Sequence, residues 1–306
     1  MSIAVSLMIE GQDGVTWPRW QRLAQAAEDL GFSGLYRSDH YTNAGDGPLR
    51  EALELWTSLT WLASHTSRIS FGPIVSPVSF RDPRVTAWTA SAIDDLSGGR
   101  LRLGLGAGWQ EREHAMFGYD LLDVDDRFVR FTEGIEVVTR LLREPNPVTF
   151  AGRFYQLTDA VLLPRPERPN GPPIVIGGNG PKRTLPLAAR FADEWNGVYI
   201  PPATFVERCA DLDALLAFED RVPGAVRRTL MNRVILARNG SELERKLNGG
   251  DVDALRARGV IIGGEDEVRE RLAEFGEAGV EEIQLQWIDD LDDLDGIAEL
   301  ARAAIG

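Results

Sequence analysis

Residues 173–200, PIVIGGNGPKRTLPLAARFADEWNGVYI, read in succession as a strand, a glycine turn, a helix and a second strand. Ile174 to Ile176 is a short unbroken apolar run closed by glycines, as a strand buried on both faces requires. Pro181 to Ala192 carries apolar residues at helical spacing, and Glu194 to Tyr199 returns to strand. A strand, a helix and another strand in this order predict a parallel sheet wrapped by helices.

The same alternation extends in both directions. Ile3 to Ile9 is a strand, followed by a helix with Thr16 as cap candidate, Pro18 in its first turn, and Trp20, Leu23, Ala24, Ala27 and Leu30 on one face. Gly31 ends that helix, and Gly34 to Arg37 leads to Ser38, Asp39 and His40. A helix over about Leu53 to Ser64 precedes a third strand, Ile69 to Val75. Asp82-Pro83 pairs a capping residue with proline at the first helical position, opening a helix to about Leu96. Gly98-Gly99 turns the chain into a fourth strand, Leu101 to Ala107, and a long helix covers about Asp126 to Leu142. Beyond the opening unit, Leu230 to Ala237 is the seventh strand and Glu282 to Trp287 the eighth, with a closing helix near Leu291 to Ala304. Eight strand–helix pairs in 306 residues predict an α/β protein, a (β/α)₈ TIM barrel, over an open doubly wound sheet. The expectation is one domain, 1–306, with insertions at about 145–173, proline-rich and irregular, and about 241–258, helical and placed to form a lid.

Composition narrows the function. A net charge of −14 argues against general affinity for nucleic acid or anionic lipid. No apolar run approaches the roughly 18 residues of a membrane span. Met1 to Glu10 lacks a basic flank and a small-residue cleavage site, and reads as a strand rather than a signal peptide. The single cysteine, Cys209, precludes an internal disulfide and fits a reducing compartment, so the expected location is the cytoplasm. Cys209 lies in a helical segment and is expected to be buried rather than reactive. His40, His65 and His114 do not fall at metal-ligand spacing, so no metal site is expected.

In such a barrel the chemistry lies at the C-terminal ends of the strands. These ends carry Glu10 and Gln12, then Asp39 and His40, then Ile74 and Val75, then Gly106, Ala107, Gly108 and Trp109. Gly177, Gly178 and Asn179 follow the fifth strand. Glycine-freed amides at a helix start can seat an anion, and Lys182 and Arg183 in a first helical turn would otherwise oppose the dipole. A tight turn beside two solvated bases accounts for the same residues. Neither glycine run matches a Rossmann fingerprint or a phosphate-binding P-loop.

The segments GFSGLYRSDHY (31–41), FGPIVSPVSFRDP (71–83), LSGGRLRLGLGAGWQEREHAMFG (96–118) and PIVIGGNGPKR (173–183) resemble luciferase-like oxidoreductases that use the deazaflavin coenzyme F420, of actinobacterial type. The resemblance runs in matching order along the chain. It implies a deazaflavin ring across the barrel mouth, with Asp39 and His40 at its reacting face. A non-proline cis peptide is implied at Ile74–Val75. Gly106, Ala107 and Gly108 would pass beside the ring, and Gly177, Gly178 and Asn179, with Lys182 or Arg183, would hold the acidic tail. The sugar-phosphate dehydrogenases of the superfamily carry a glutamate proton donor where this chain has Trp109, which makes sugar-phosphate oxidation doubtful. Glu111, Glu113 and His114 follow it and read as acid candidates or as helix-surface charges; Trp109, Glu113 and His114 are also candidate substrate contacts, and Glu10 and Gln12 are candidate substrate or ring contacts. The expected activity is hydride transfer between deazaflavin C5 and a small organic substrate. His40, oriented by Asp39, would handle the proton, and the protein would pair as a homodimer. The competing readings are an FMN-dependent monooxygenase on the same scaffold and a flavin- or deazaflavin-binding protein without turnover.

Overall fold

Short apolar runs punctuated by glycine become strands here because each is covered on both faces. A computed structural model describes residues 3–44 and 47–306. Met1 and Ser2, part of the stretch read as strand rather than signal peptide, lie outside the described residues. In chain order the first half comprises β1 (Ala4–Ile9), α1 (Trp17–Asp29), β2 (Gly34–Arg37), α2 (Leu55–His65), β3 (Ser70–Pro73), β4 (Ser76–Pro77), α3 (Pro83–Leu96), β5 (Leu103–Gly106), α4 (Glu111–Phe117) and α5 (Val124–Arg143). The hairpin strands β6 (Val148–Ala151) and β7 (Gln156–Ala160) follow, then β8 (Ile174–Gly177), α6 (Thr184–Phe191), β9 (Glu194–Val198), α7 (Pro202–Phe218) and β10 (Arg227–Leu236). The chain continues through α8 (Gly240–Leu247), α9 (Val252–Ala257), β11 (Ile261–Gly263), α10 (Glu265–Glu277), β12 (Glu282–Trp287) and α11 (Leu294–Ile305).

The parallel order β3-β2-β1-β12-β10-β9-β8-β5-β4 makes a barrel, because β3 and β4 are two pieces of one strand. They are divided at the cis peptide Ile74–Val75. β3 pairs with β2, β4 pairs with β5, and a further bridge joins Phe71 to Leu101. The eight expected strands are therefore all present. Their two-residue alternation sorts side chains between an outer and an inner core. Leu7, Leu35, Phe71, Leu103, Ile174, Leu230 and Leu285 face the helices in the larger apolar cluster. Met8, Tyr36, Ile74, Val175 and Met231 plug the interior. Beneath them Asn196 donates to Thr229 Oγ1 at 2.9 Å and to Gln284 Oε1 at 2.7 Å, while Asn196 Oδ1 and Gln284 Nε2 are buried without a hydrogen-bond partner among the described residues.

Glycine allows the third and fourth strands to approach closely. A Cβ on Gly104 would stand 2.0 Å from the Pro73 carbonyl oxygen, a backbone atom that no rotamer change can move. Gly104→Ala is expected to destabilise the protein by about 1–3 kcal/mol through overpacking. An unchanged urea midpoint would show that the two strands can separate without cost.

Several expectations are corrected. The 145–173 segment holds an antiparallel hairpin, β6 with β7, rather than irregular chain. Helix α6 begins at Thr184, not Pro181, so Lys182 and Arg183 occupy the turn before it. Thr16 occupies the N-cap position of α1 but makes no side-chain capping bond. Cys209 is half-buried, and burial pushes its thiol up to about 11. Among the described residues no helix is long and apolar enough to cross a membrane.

Candidate active site

The C-terminal strand ends enclose a cavity of about 640 Å³, within the range of roughly 300–1,000 Å³ in which small-molecule sites fall. Its walls come from every side of the barrel. Glu10 and Gln12 stand at the end of β1, Ser38 and His40 beyond β2, and Gly108 and Trp109 beyond β5. Val198 and Tyr199 close β9, Met231 and Arg233 lie on β10, and Gln286 lies on β12. The 241–258 insertion folds as α8 and α9, and its Leu255 and Arg258 line the cavity.

The floor is mostly backbone and aliphatic. Ile74, Val75, Gly177 and Gly178 line it. A Cβ on Gly106 would lie 2.4 Å from Val75 Cγ2, and one on Gly177 would lie 3.1 Å from Val75 Cγ1. These glycines let the Val75 side chain sink between two strands and leave a flat surface above it. Gly106 itself is buried and does not reach the cavity, and Ala107 packs against the outer core. Both support the floor instead of lining it. Gly108 does line it, with φ +87°, a conformation that a side chain would strain.

His40 faces this floor with one ring nitrogen anchored. Its Nδ1 lies 2.8 Å from Glu113 Oε1, and the second carboxylate oxygen accepts the Tyr41 backbone N–H at 2.9 Å. Glu113 is 1% exposed, so the reading of a helix-surface charge fails for it. The expected orientation of His40 by Asp39 is also corrected, since Glu113 takes that place. A carboxylate at Nδ1 fixes the proton there and leaves Nε2 without a partner among the described residues. Burial works against charging the ring. The hydrogen bond to Glu113 and the negative charges of Glu113, Glu10 and Asp39 outweigh it, and the His40 pKa is raised above its ordinary value. The Trp109 indole, 60% exposed, meets the imidazole edge-on with centroids 5.6 Å apart.

Asp39 lies below the cavity and does not line it. Its carboxylate accepts from Ser76 Oγ at 2.7 Å and from Arg81 at 3.0 and 2.8 Å. Arg81 also reaches Glu54 at 3.0 Å and stacks over Tyr41. This bidentate pair ties the turn carrying His40 to β4. His114 is buried with Nδ1 2.7 Å from the Gln110 carbonyl, away from the cavity, and Glu111 is exposed.

Glu10 and Gln12 belong to a hydrogen-bonded belt around the mouth. Gln12 donates to Glu10 Oε2 at 2.7 Å and accepts from Ser38 Oγ at 2.7 Å. Gln286 donates to the other Glu10 oxygen and accepts from the Tyr199 hydroxyl. Burial, then the Glu10 charge, pushes the Tyr199 phenol up to about 12, so it stays a donor.

Of the residues expected to seat an anion after the fifth strand, Gly177 and Gly178 line the cavity, while Asn179, Lys182 and Arg183 do not. Asn179 spends both ends of its amide on Val198, donating to the carbonyl at 2.6 Å and accepting from the N–H at 2.9 Å. Arg183 pairs with Asp125 of α5, and Lys182 shares that outer groove rather than the cavity. The cations that do line the cavity are Arg233 and Arg258, which sequence reasoning passed over. For Arg233 the signal was present in the inward alternation Thr229, Met231, Arg233 on β10.

The chain is 34% identical over 173 residues to an F420-dependent glucose-6-phosphate dehydrogenase of Kineococcus radiotolerans, which covers 56% of this chain and 49% of that protein. The chain thus spans about half the length of the curated relatives it matches. In structure it is similar to an F420-dependent secondary alcohol dehydrogenase complexed with an F420–acetone adduct, with a TM-score of 0.82 at 18% identity over 99% of this chain and 98% of that one. A monooxygenase from Streptomyces bottropensis gives a TM-score of 0.82 at 23% identity, covering 99% of this chain and 97% of that one. At such identities these two show the fold. The family model described as luciferase-like monooxygenase matches residues 1–257, and the chain belongs to that family.

Proposed function

We propose that the cavity binds coenzyme F420 and that the protein is an F420-dependent oxidoreductase acting on a small organic substrate. The observation that carries this reading is an acid–base group, His40 anchored by buried Glu113, facing a flat aliphatic and glycine floor. A planar ring can lie on Ile74, Val75, Gly177 and Gly178 without meeting a side chain that must move. The F420-dependent relative supports the same choice of coenzyme. When bound, the deazaflavin supplies or accepts a hydride at its C5 carbon.

The chain's own residues then have separable tasks. The belt of Gln12, Glu10, Gln286 and Tyr199 fixes polar edges of whatever lies on the floor. His40 Nε2 gives a proton to the substrate heteroatom in reduction, or takes one in oxidation, while Nδ1–H stays on Glu113. Asp39 is a positioning residue that acts through Arg81 and Ser76. Trp109 offers no proton, and Glu10 and Tyr199 are engaged in the belt, so acid–base work falls to His40. Its indole and the Leu255 roof exclude water from the reacting face.

The decisive measurement is a pair of fluorescence titrations, one with F420 and one with FMN. F420 is expected to bind in the micromolar range or tighter, and its reduced form to pass hydride to a carbonyl, enone or imine from a substrate panel, or its oxidised form to take hydride from the corresponding reduced compound. Preference for FMN would replace this reading with an FMN-dependent monooxygenase. Tight F420 binding without any exchange would leave a binding protein.

A further inference from the structure

Arg233 and Arg258 reach the cavity wall from different parts of the chain. Arg233 takes the inward register of β10, opposite Gln286 of β12. Arg258 ends α9 in the roof insertion. Among the described residues neither guanidinium makes a hydrogen bond or ion pair. This protein has 47 acidic side chains against 33 basic ones, so an unpaired arginine is not for want of carboxylates. Most cavity-facing neighbours on this side, Met231, Leu255, Val260 and Ile288, are apolar. The carboxylate on the wall, Glu10, has both oxygens taken by Gln12 and Gln286. Asp289 lies near Arg233 but is 2.7 Å from Lys246 Nζ. Arg233 Nε is buried without a partner, and burial lowers the Arg233 pKa. Arg233, desolvated and uncompensated, gains strongly when an anion arrives, and the exposed Arg258 adds a second unpaired charge beside it.

We infer that Arg233 and Arg258 form an anion seat on the wall of the cavity, which recognises a phosphate or carboxylate on the bound ligand. The inference rests on the proposed function for the identity of that ligand, though not for the seat itself. The acidic group has two sources, the coenzyme's phosphate-bearing acidic arm or an acid group on the substrate. Either way the seat selects an anionic ligand and orients its other end toward His40.

The test compares wild type with Arg233→Gln, Arg258→Gln and the double variant, each first checked for folding by circular dichroism. Dissociation constants are measured for F420, for the same deazaflavin lacking the phosphate-bearing arm, and for inorganic phosphate. If the coenzyme's arm occupies the seat, wild type binds F420 more tightly than the armless form. Each single variant then loses about tenfold or more in F420 affinity, the scale of a charge-assisted contact, and the double variant treats the two forms alike. If the substrate's acid occupies the seat, F420 affinity is unchanged across the series. Inorganic phosphate then binds the F420-loaded wild type, weakens with ionic strength, and fails to bind the double variant. Folded variants that match wild type for both F420 and phosphate overturn the inference. Absence of any deazaflavin binding overturns the coenzyme reading alone, because phosphate binding to the ligand-free protein still reports on the two arginines.

Discussion

Replacing His40 with alanine is expected to cut turnover by about 10²- to 10⁴-fold, the usual contribution of a positioned acid or base, while F420 affinity changes by no more than a few-fold. The asymmetry follows from where the ring sits. Its Nδ1 is engaged with Glu113 and its Nε2 faces the cavity, so the atoms lost on truncation move protons rather than support the floor. The floor is built from Ile74, Val75 and glycines of other strands and does not depend on the imidazole. One contact could blur the result, since Trp109 packs edge-on against His40 and would lose a neighbour. A His40→Gln variant keeps a side chain of similar reach against the indole but cannot carry a proton at neutral pH. Both variants should therefore lose turnover alike. Stopped-flow hydride transfer and equilibrium titration, measured on the same samples, separate the two effects. Equal losses in rate and affinity would move His40 from proton transfer to binding.

The barrel was legible because its signals are local. Each strand is an apolar run with glycine or proline at its borders, and Gly177-Gly178 or Gly98-Gly99 marks a turn without reference to distant residues. The polar contacts of the site were less legible, because they join residues far apart in sequence. Glu113 reaches His40 across 73 positions, and the heptapeptide EREHAMF looks like a charged surface turn of helix. One cue was available. Gln110, Glu113 and His114 fall at i, i+3 and i+4, a single helical face, and all three are buried. Here that polar face is buried, with Glu113 bonded to His40 and Gln110 to Thr42. Lys182 and Arg183 misled for the complementary reason. The partner of Arg183, Asp125, sits in the first turn of α5 and is invisible in the glycine loop itself, and Lys182 lies in the same outer groove. The hairpin at 148–160 was missed because prolines on both sides suggested irregular chain, while the alternation within Val148–Ala151 is only four residues long.

Glu113→Gln is the sharper probe of the site, because it keeps shape and removes charge. The carboxylate accepts two hydrogen bonds, from His40 Nδ1–H and from the Tyr41 N–H. An amide has one accepting oxygen, so it can satisfy one of these donors and must present NH₂ to the other. Without the negative charge, burial of the imidazole is opposed only by the more distant Glu10 and Asp39. The His40 pKa should fall, which an NMR titration of its ring protons reads directly. The consequence for stability has a definite sign. A histidine whose folded-state pKa is raised contributes stability that is complete below its unfolded pKa, and that contribution disappears as pH rises through the folded value. The penalty of Glu113→Gln should therefore be larger at about pH 5.5 than at about pH 9, where only one of the two contacts, to the Tyr41 N–H or to the neutral imidazole, is lost. Turnover in the reducing direction, which needs the imidazolium, should lose its neutral-pH plateau and retreat to lower pH. Denaturant midpoints at the two pH values, together with the pH–rate profile, give three independent readings. A penalty that is the same at both pH values, with an unmoved histidine titration, would mean that Glu113 holds the loop through Tyr41 and has no electrostatic hold on His40.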